Sequence, residues 1–387
     1  MRKAHYVAVM SALILTGQSY ATSFTDPIDD KFDMGEYLAE NAYGFLPVPI
    51  LVTEPAVGYG GGVMGIFLHE SEEQKEKRRK LSLTSVNGGA QLLTPAITVG
   101  GAFGTDNGTW AGFVGHRHSW KRDSIRYLGG AFYGDVNMDF YGDGNLVDKF
   151  ELNMKGYGEL QKLQFRVADS SLLLGVSQAF IQSTLSLNSV EHQSSLSHRE
   201  FNPSLDSTFS MLGVLVEYDT LNSFLYPTSG GDYTGEYRMF RKSLGSDYDF
   251  DTFTFKGLQY FPVAESWNLG FKGQYNTLST TERFLPTPVY PDINMRGIAR
   301  ERYQGDTTAS IETQLTWQVT MRWSASVFGG LGTAVDDGDS IFTTNNHYSY
   351  GVGFRYLIAR RYGLRAGIDV ATSESDNAIY FQVGTGF

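Results

Sequence analysis

The 387-residue chain contains no cysteine. Disulfides, thiolate metal sites and cysteine nucleophiles are thereby excluded. It is also short of positive charge, with 31 lysines and arginines against 42 acids and a formal net charge of −11. Phosphate backbones are held by basic clusters, so nucleic acid is not an expected partner. No run of 18 apolar residues occurs, and so no transmembrane helix is expected. Signatures of chemistry are equally scarce. There is no G-x-S-x-G; its nearest approach, "GVSQA" (175–179), lies within a strand pattern and lacks the strand-to-helix turn of a nucleophile elbow. "DDGDS" (336–340) lacks the ligand spacing and final glutamate of a calcium loop. His116 and His118, in "GHRHSW", stand two apart on a strand pattern without a third ligand nearby. No enzymatic activity, metal or cofactor is expected.

The first residues carry a signal of their own. Arg2 and Lys3 precede a short apolar run from Tyr6 to Leu15, and Ser19-Tyr20-Ala21 follows. This is the pattern of a secretory signal peptide, residues 1–21, cleaved after Ala21. Its apolar run is too short for a membrane span, which needs about 20 residues. Removing it takes away two cations and no acid, so the remainder is more acidic still. The one charge run, "ESEEQKEKRRK" (70–80), is mixed in sign and reads as a solvated loop.

From Ala56 onward the dominant pattern is period-two alternation, the mark of strands. In "AIYFQVGTGF", Ile379, Phe381, Val383 and Phe387 share one face, opposite Tyr380, Gln382 and the glycines. In "TASIETQLTWQV", Ile311, Leu315, Trp317 and Val319 alternate with Ser310, Glu312, Gln314 and Gln318. Runs of roughly 9–14 residues match the reach of a tilted membrane-spanning strand, whereas globular strands run about 5–6. Aromatics near strand ends, such as Trp317, Trp323, Tyr356 and Phe387, fit interfacial girdles.

Sixteen strands are counted. The first eight are 57–69, 81–91, 96–104, 109–120, 125–140, 150–167, 171–187 and 206–219. The second eight are 232–244, 250–262, 267–279, 307–319, 321–334, 347–359, 363–373 and 378–387. The short connections (168–170, 264–266, 360–362) then fall on the periplasmic side and the long ones (70–80, 188–205, 280–306, 335–346) outside. The expected fold is all-β: a 16-stranded antiparallel transmembrane β-barrel over 56–387, in the bilayer of the bacterial outer membrane. Residues 22–55 form a short N-terminal segment, periplasmic or luminal. Its stretch "GFLPVPILVTEP" has three prolines that argue against a central strand. Lys155, Lys256, Lys272, Arg322, Arg355 and Asp135 fall on the inward face.

The loop "PDINMRGIARERYQGD" (291–306) fits neither period. From its residues alone, Arg296 is either one more solvent-facing arginine beside Arg300 and Arg302 or a buried cation in need of an acid. Gly297 suits a close approach of backbone or a positive φ.

Several stretches, in order, resemble the BamA/TamA family of outer-membrane barrels, also called the bacterial surface antigen family. "VEYDTLNSFLYPTSGGDY" (216–233) is similar to the family segment between the eighth and ninth strands. "MRGIARERYQGD" (295–306) resembles its sixth extracellular loop, whose Arg-Gly motif folds into the lumen. The terminal "YFQVGTGF" resembles the β-signal read by the assembly machinery, here Tyr380, Phe381, Val383 and Phe387. "GFLPVPILVTEPAVGYGGG" (44–62) looks like the start of family barrels. The likeness covers most of 44–387. It implies a lumen latch at Arg296 and Gly297, for which strand parity offers Glu312 first and Asp369 second as inward acids. It also implies a role in outer-membrane biogenesis or in translocation of a protein or lipid substrate, through a weak seam between first and last strands. Glycine-rich "VGYGGGVMG" (57–65) suits such a seam. The competing expectation is a passive or plugged pore, or a structural barrel, with no assembly role. The departures are Ile298 where the family has an aromatic, Gly330 and Gln314 where it has acids, and no POTRA repeats in these residues.

Overall fold

A computed structural model of the chain describes residues 24–40, 45–84, 96–121, 123–141, 149–191, 204–223, 225–336, 339–340, 346–384 and 387. The expected signal peptide lies outside them. The strands are β1 Phe45–Glu54, β2 Gly58–His69, β3 Ala96–Thr105, β4 Trp110–Trp120, β5 Ile125–Tyr141, β6 Lys149–Arg166, β7 Leu172–Glu191 and β8 Ser204–Asp219. They continue as β9 Gly230–Phe240, β10 Phe250–Ala264, β11 Trp267–Thr280, β12 Thr307–Gln318, β13 Trp323–Val335, β14 His347–Ala359, β15 Leu364–Ser373 and β16 Asn377–Val383. Two helices, α1 Gly35–Glu40 and α2 Glu72–Thr84, complete the regular structure. Each strand pairs antiparallel with its chain neighbours in the order β1 to β16.

The alternation read from the sequence becomes the two faces of the wall. Val63, Val114, Val176, Val214, Val327 and Val352 are exposed on the outer face, where only lipid can meet such a band. Trp120, Trp267, Trp317 and Trp323 gird the short-turn end, and Trp267 stacks on Trp317 at 5.7 Å. The short-turn end is periplasmic by the usual asymmetry of such barrels. The chain is an integral barrel of the bacterial outer membrane.

The count of sixteen holds, but its beginning is rearranged. The segment placed before the barrel contributes β1, paired with β2 through ten positions from Phe45↔Phe67 to Glu54↔Gly58. The barrel therefore starts at Phe45, not at 56. Prolines 47 and 49 are tolerated because β1 is an edge. Residues two apart on a strand turn their N–H groups the same way, and the ladder to β2 is unbroken. The two missing donors accordingly face β16. The strand expected at 81–91 is absent where the structure describes it: α2 runs to Thr84, and 85–95 lie outside the described residues. The 70–80 run is likewise not an external solvated loop but mostly α2, at the periplasmic end. Glu, Gln, Lys and Arg favour a helix there, with pairs Glu72–Lys75 and Glu76–Arg79 along its side. Ser71 and Gln74 form a capping box, each side chain accepting from the other's N–H at 3.3 and 2.9 Å.

The periplasmic mouth is filled by three segments. Arg78 of α2 bonds Glu70 at 2.6 Å and lies over Tyr362. Arg322 binds Asp26 and Asp29 at 2.8 and 2.7 Å, and Arg360 binds Asp26. The β8–β9 connection crosses the mouth, so that Tyr226 reaches Ser324 at 3.3 Å and lies under Arg365. Ala359, Tyr362 and Leu364 close the space with Met34, Tyr37 and Leu225.

Candidate functional site

Between β11 and β12 the chain leaves the wall and folds into the lumen from the extracellular side. Ile293, Met295 and Ile298 are buried against β13. Two glycines make the room: a Cβ at Gly330 would meet Glu312 Cγ at 2.8 Å and Met295 Sδ at 3.1 Å, and one at Gly332 would meet Ile293 at 2.6 Å. Gly330, where the resemblance leads one to look for an acid, is instead a notch for the loop.

Arg296 is thereby carried to the middle of the lumen, 8% exposed. Its Nε donates to Glu312 Oε2 at 3.1 Å; its Nη1 donates to Gln314 Oε1 at 2.9 Å and Asp369 Oδ2 at 3.0 Å. The guanidinium lies 3.5 Å from the Phe328 ring centroid and 5.1 Å from that of Phe387. Both acids have second cations. Lys272 reaches Glu312 at 2.9 Å, and Arg355 holds both oxygens of Asp369 at 2.7 and 2.8 Å. Two carboxylates thus tie three cations from β11, β14 and the loop to β12 and β15. Each charge is costly to bury alone and tolerable only because the others are present.

After Arg296 the backbone turns through Gly297 at φ +90°, a conformation that a side chain resists. A Cβ there would also press on Ala371 and Thr372 at 3.2 Å. Gly297 N–H donates to Tyr380 Oη at 3.0 Å, and Ala299 N–H to Asp376 at 3.1 Å. Arg302 binds Asp376 at 2.7 Å. On the other side, Arg300 N–H donates to Glu54 Oε1 at 3.0 Å. Residues 297–302 therefore bond both β16 with its leading turn and the end of β1. Glu301, at φ +61°, is desolvated and faces Asp292, which pushes its carboxyl up to about 8.

β1 and β16 are neighbours without a backbone ladder among the described residues. The Thr53 hydroxyl donates to the Ile379 carbonyl across the seam.

Of the residues read from the sequence, Arg296, Gly297, Glu312 and Asp369 meet in one network, and Tyr380 joins it through Gly297. Phe381 and Val383 lie on the lipid-facing side. Phe387 does not share their face, contrary to expectation. β16 ends at Val383, Gly384 turns at φ +103°, and the Phe387 ring sits inside the lumen, 6.1 Å from that of Tyr260. Strand parity alone does not point to Gln314 or Phe328 as partners of Arg296, nor to Arg355 as the second cation on Asp369. His69 and His116 are linked on the wall through Thr98 Oγ1, 2.8 Å from each, and the His118 ring lies 5.7 Å from that of His116. Ser177 donates to Glu236 at 2.7 Å.

No family model matches the sequence, and no curated protein matches it significantly. Solved structures do match the fold. BamA from Haemophilus ducreyi lacking POTRA domains 1–3 aligns with TM-score 0.54 and 12% identity, over 87% of this chain and 68% of that one. CdiB from Escherichia coli gives 0.55 and 9%, over 88% and 62%. CdiB from Acinetobacter baumannii gives 0.53 and 9%, over 89% and 59%. The chain thus spans about three fifths of either CdiB, and it has the barrel fold of BamA and CdiB.

Proposed function

We propose that the chain is a latched outer-membrane barrel that serves biogenesis or translocation of a protein or lipid substrate through its β1–β16 seam. One observation carries this reading. Among the described residues the seam has no backbone ladder, Pro47 and Pro49 deprive its β1 edge of two donors, and the 297–302 strap bonds Glu54 on one side and Tyr380 and Asp376 on the other. A wall built to stay shut needs neither feature. The Arg296 network is the latch: breaking it frees the strap, and freeing the strap leaves the seam with little to hold it. Likeness in fold to BamA and CdiB supports the reading, as does the resemblance in motif to the BamA/TamA family. Tyr380, Phe381, Val383 and Phe387 are proposed as the residues read by the assembly machinery during insertion. The reaction is movement through a wall; no residue is assigned to bond-making.

A filled lumen also favours a second reading, a plugged structural barrel without an assembly role. A cysteine pair at Thr53 and Ile379, in a chain with no other thiol, separates the two. The expected result is that the oxidised barrel fails to restore the outer-membrane protein and lipid profile of a deletion strain, while the reduced one restores it. Full restoration by the locked barrel would overturn the seam mechanism and leave the structural barrel.

A further inference from the structure

The extracellular half of the lumen holds a cavity of about 400 Å³ between the β4–β10 wall and the Thr287–Val289 turn. Its lining is unusual for such a barrel. Lumen faces are polar by rule, yet Phe132, Met154, Phe209, Phe240, Phe250 and Val289 surround this space. Phe132 shares the inward face of β5 with Arg126, which bonds Glu217 and Asp219, and even so it is 45% exposed. Large apolar surface left open on an inward face calls for a partner.

Two polar atoms on the lining lack partners among the described residues. Ser207 Oγ and Arg238 Nε are both buried without a hydrogen bond. Buried donors of this kind are rare and point to something that meets them. The register puts them at opposite ends: Ser207 pairs with Ser183, while Arg238 pairs with Gly213, six residues further along β8 and roughly 20 Å away. Water does not readily fill a space walled by aromatic rings. The Arg238 end is also rich in cations. Arg238 and Lys162 share a single carboxylate, Glu236, and Lys256 lies within reach of the same charges. An apolar trough with a few convergent polar groups is the usual form of a small-molecule site.

The geometry points to a binding site for a single acyl chain with an anionic head, the chain along the phenylalanines and the head at the Arg238 guanidinium. The site does not depend on the seam: a latched or a permanently plugged barrel would hold it equally. Carboxylate and phosphate heads share this chemistry, so the test separates a free fatty acid from a lysophospholipid.

The full chain, folded and held in amphipol, is photolabelled with a diazirine-bearing stearic acid, and the adducts are mapped by mass spectrometry. Adducts are expected on Met154, Phe209 and Val289, with outer-wall adducts at Leu174 and Val176 as the internal reference. Arg238→Met is expected to weaken lumen labelling at least about tenfold, and Arg238→Lys to recover part of it. Met154→Trp and, independently, Thr252→Phe fill the trough and are expected to abolish lumen adducts while outer-wall labelling persists. Stronger competition by stearate than by lysophospholipid identifies a fatty acid, and the reverse a phosphate-headed lipid; either supports the site. Labelling confined to the outer wall, or lumen labelling undiminished in both filled variants, overturns it. Equal competition by stearyl alcohol overturns the anionic head.

Discussion

Arg296 shows how much one planar fork can organise. It reaches Glu312, Gln314 and Asp369 at once while lying flat on Phe328. Lysine carries the same charge as a single point and cannot span those acceptors. Arg296→Ala leaves two buried carboxylates facing Lys272 and Arg355, a loss on the order of 3–5 kcal/mol. The expected readout is a lower temperature for conversion of the compact to the unfolded band on semi-native gels, with Arg296→Lys nearly as low. An unchanged transition would show that the latch contributes little. Strand parity identified Glu312 and Asp369 because inward residues recur every second position. A search for acids passes over Gln314, although its amide oxygen accepts from Arg296 as a carboxylate does. Phe328 and Phe387 had no sequence signal as partners, because stacking depends on where two strands and a loop end come to lie.

At the level of elements, the start of the barrel is the instructive part. The capping box at Ser71 and Gln74, followed by Glu, Lys and Arg, is a helix signal that can be read without coordinates. The three prolines of 44–55 bar two-sided pairing but not an edge strand. Pro47 and Pro49 face their missing donors toward β16. Replacing both with valine returns two N–H groups to the seam, worth about 1–3 kcal/mol together if β16 carbonyls accept them. The expected outcome is a raised gel transition together with weaker complementation of a deletion strain. A raised transition with full complementation would count against an opening seam.

Across the whole molecule the lumen is occupied from both ends, by the strap above and by the N-terminal segment, α2 and the β8–β9 connection below. The lower closure rests on charge. Burial works against ionisation of Asp26, but the hydrogen bond and charge of Arg360, with Arg322, outweigh it and hold its carboxyl below the ordinary 3.8. The hydrogen bond from Arg322 lowers Asp29 in the same way. A lowered aspartate contributes stability that is present above its unfolded value and lost as pH falls through the still lower folded one. Amide exchange in residues 24–37, taken relative to the intrinsic rate at each pH, is therefore expected to stay slow at neutral pH and to quicken below about pH 3.8. Arg322→Gln should quicken it already at pH 7. In planar bilayers the unmodified barrel should be nearly silent at neutral pH; a steady large conductance would contradict a filled lumen.

Composition and periodicity sufficed for an all-β outer-membrane barrel, because a lipid-facing wall imposes its two-residue alternation on the strands; the count of sixteen agrees only because the missed strand Phe45–Glu54 offsets the strand expected at 81–91. The inward acids could be read from the same alternation. Which segments fill the lumen followed no such period. The strap across the seam, the return of Phe387 into the lumen and the apolar trough beside Arg238 each bring together residues from distant strands. Closure of the sheet sets those distances, and local sequence does not encode them.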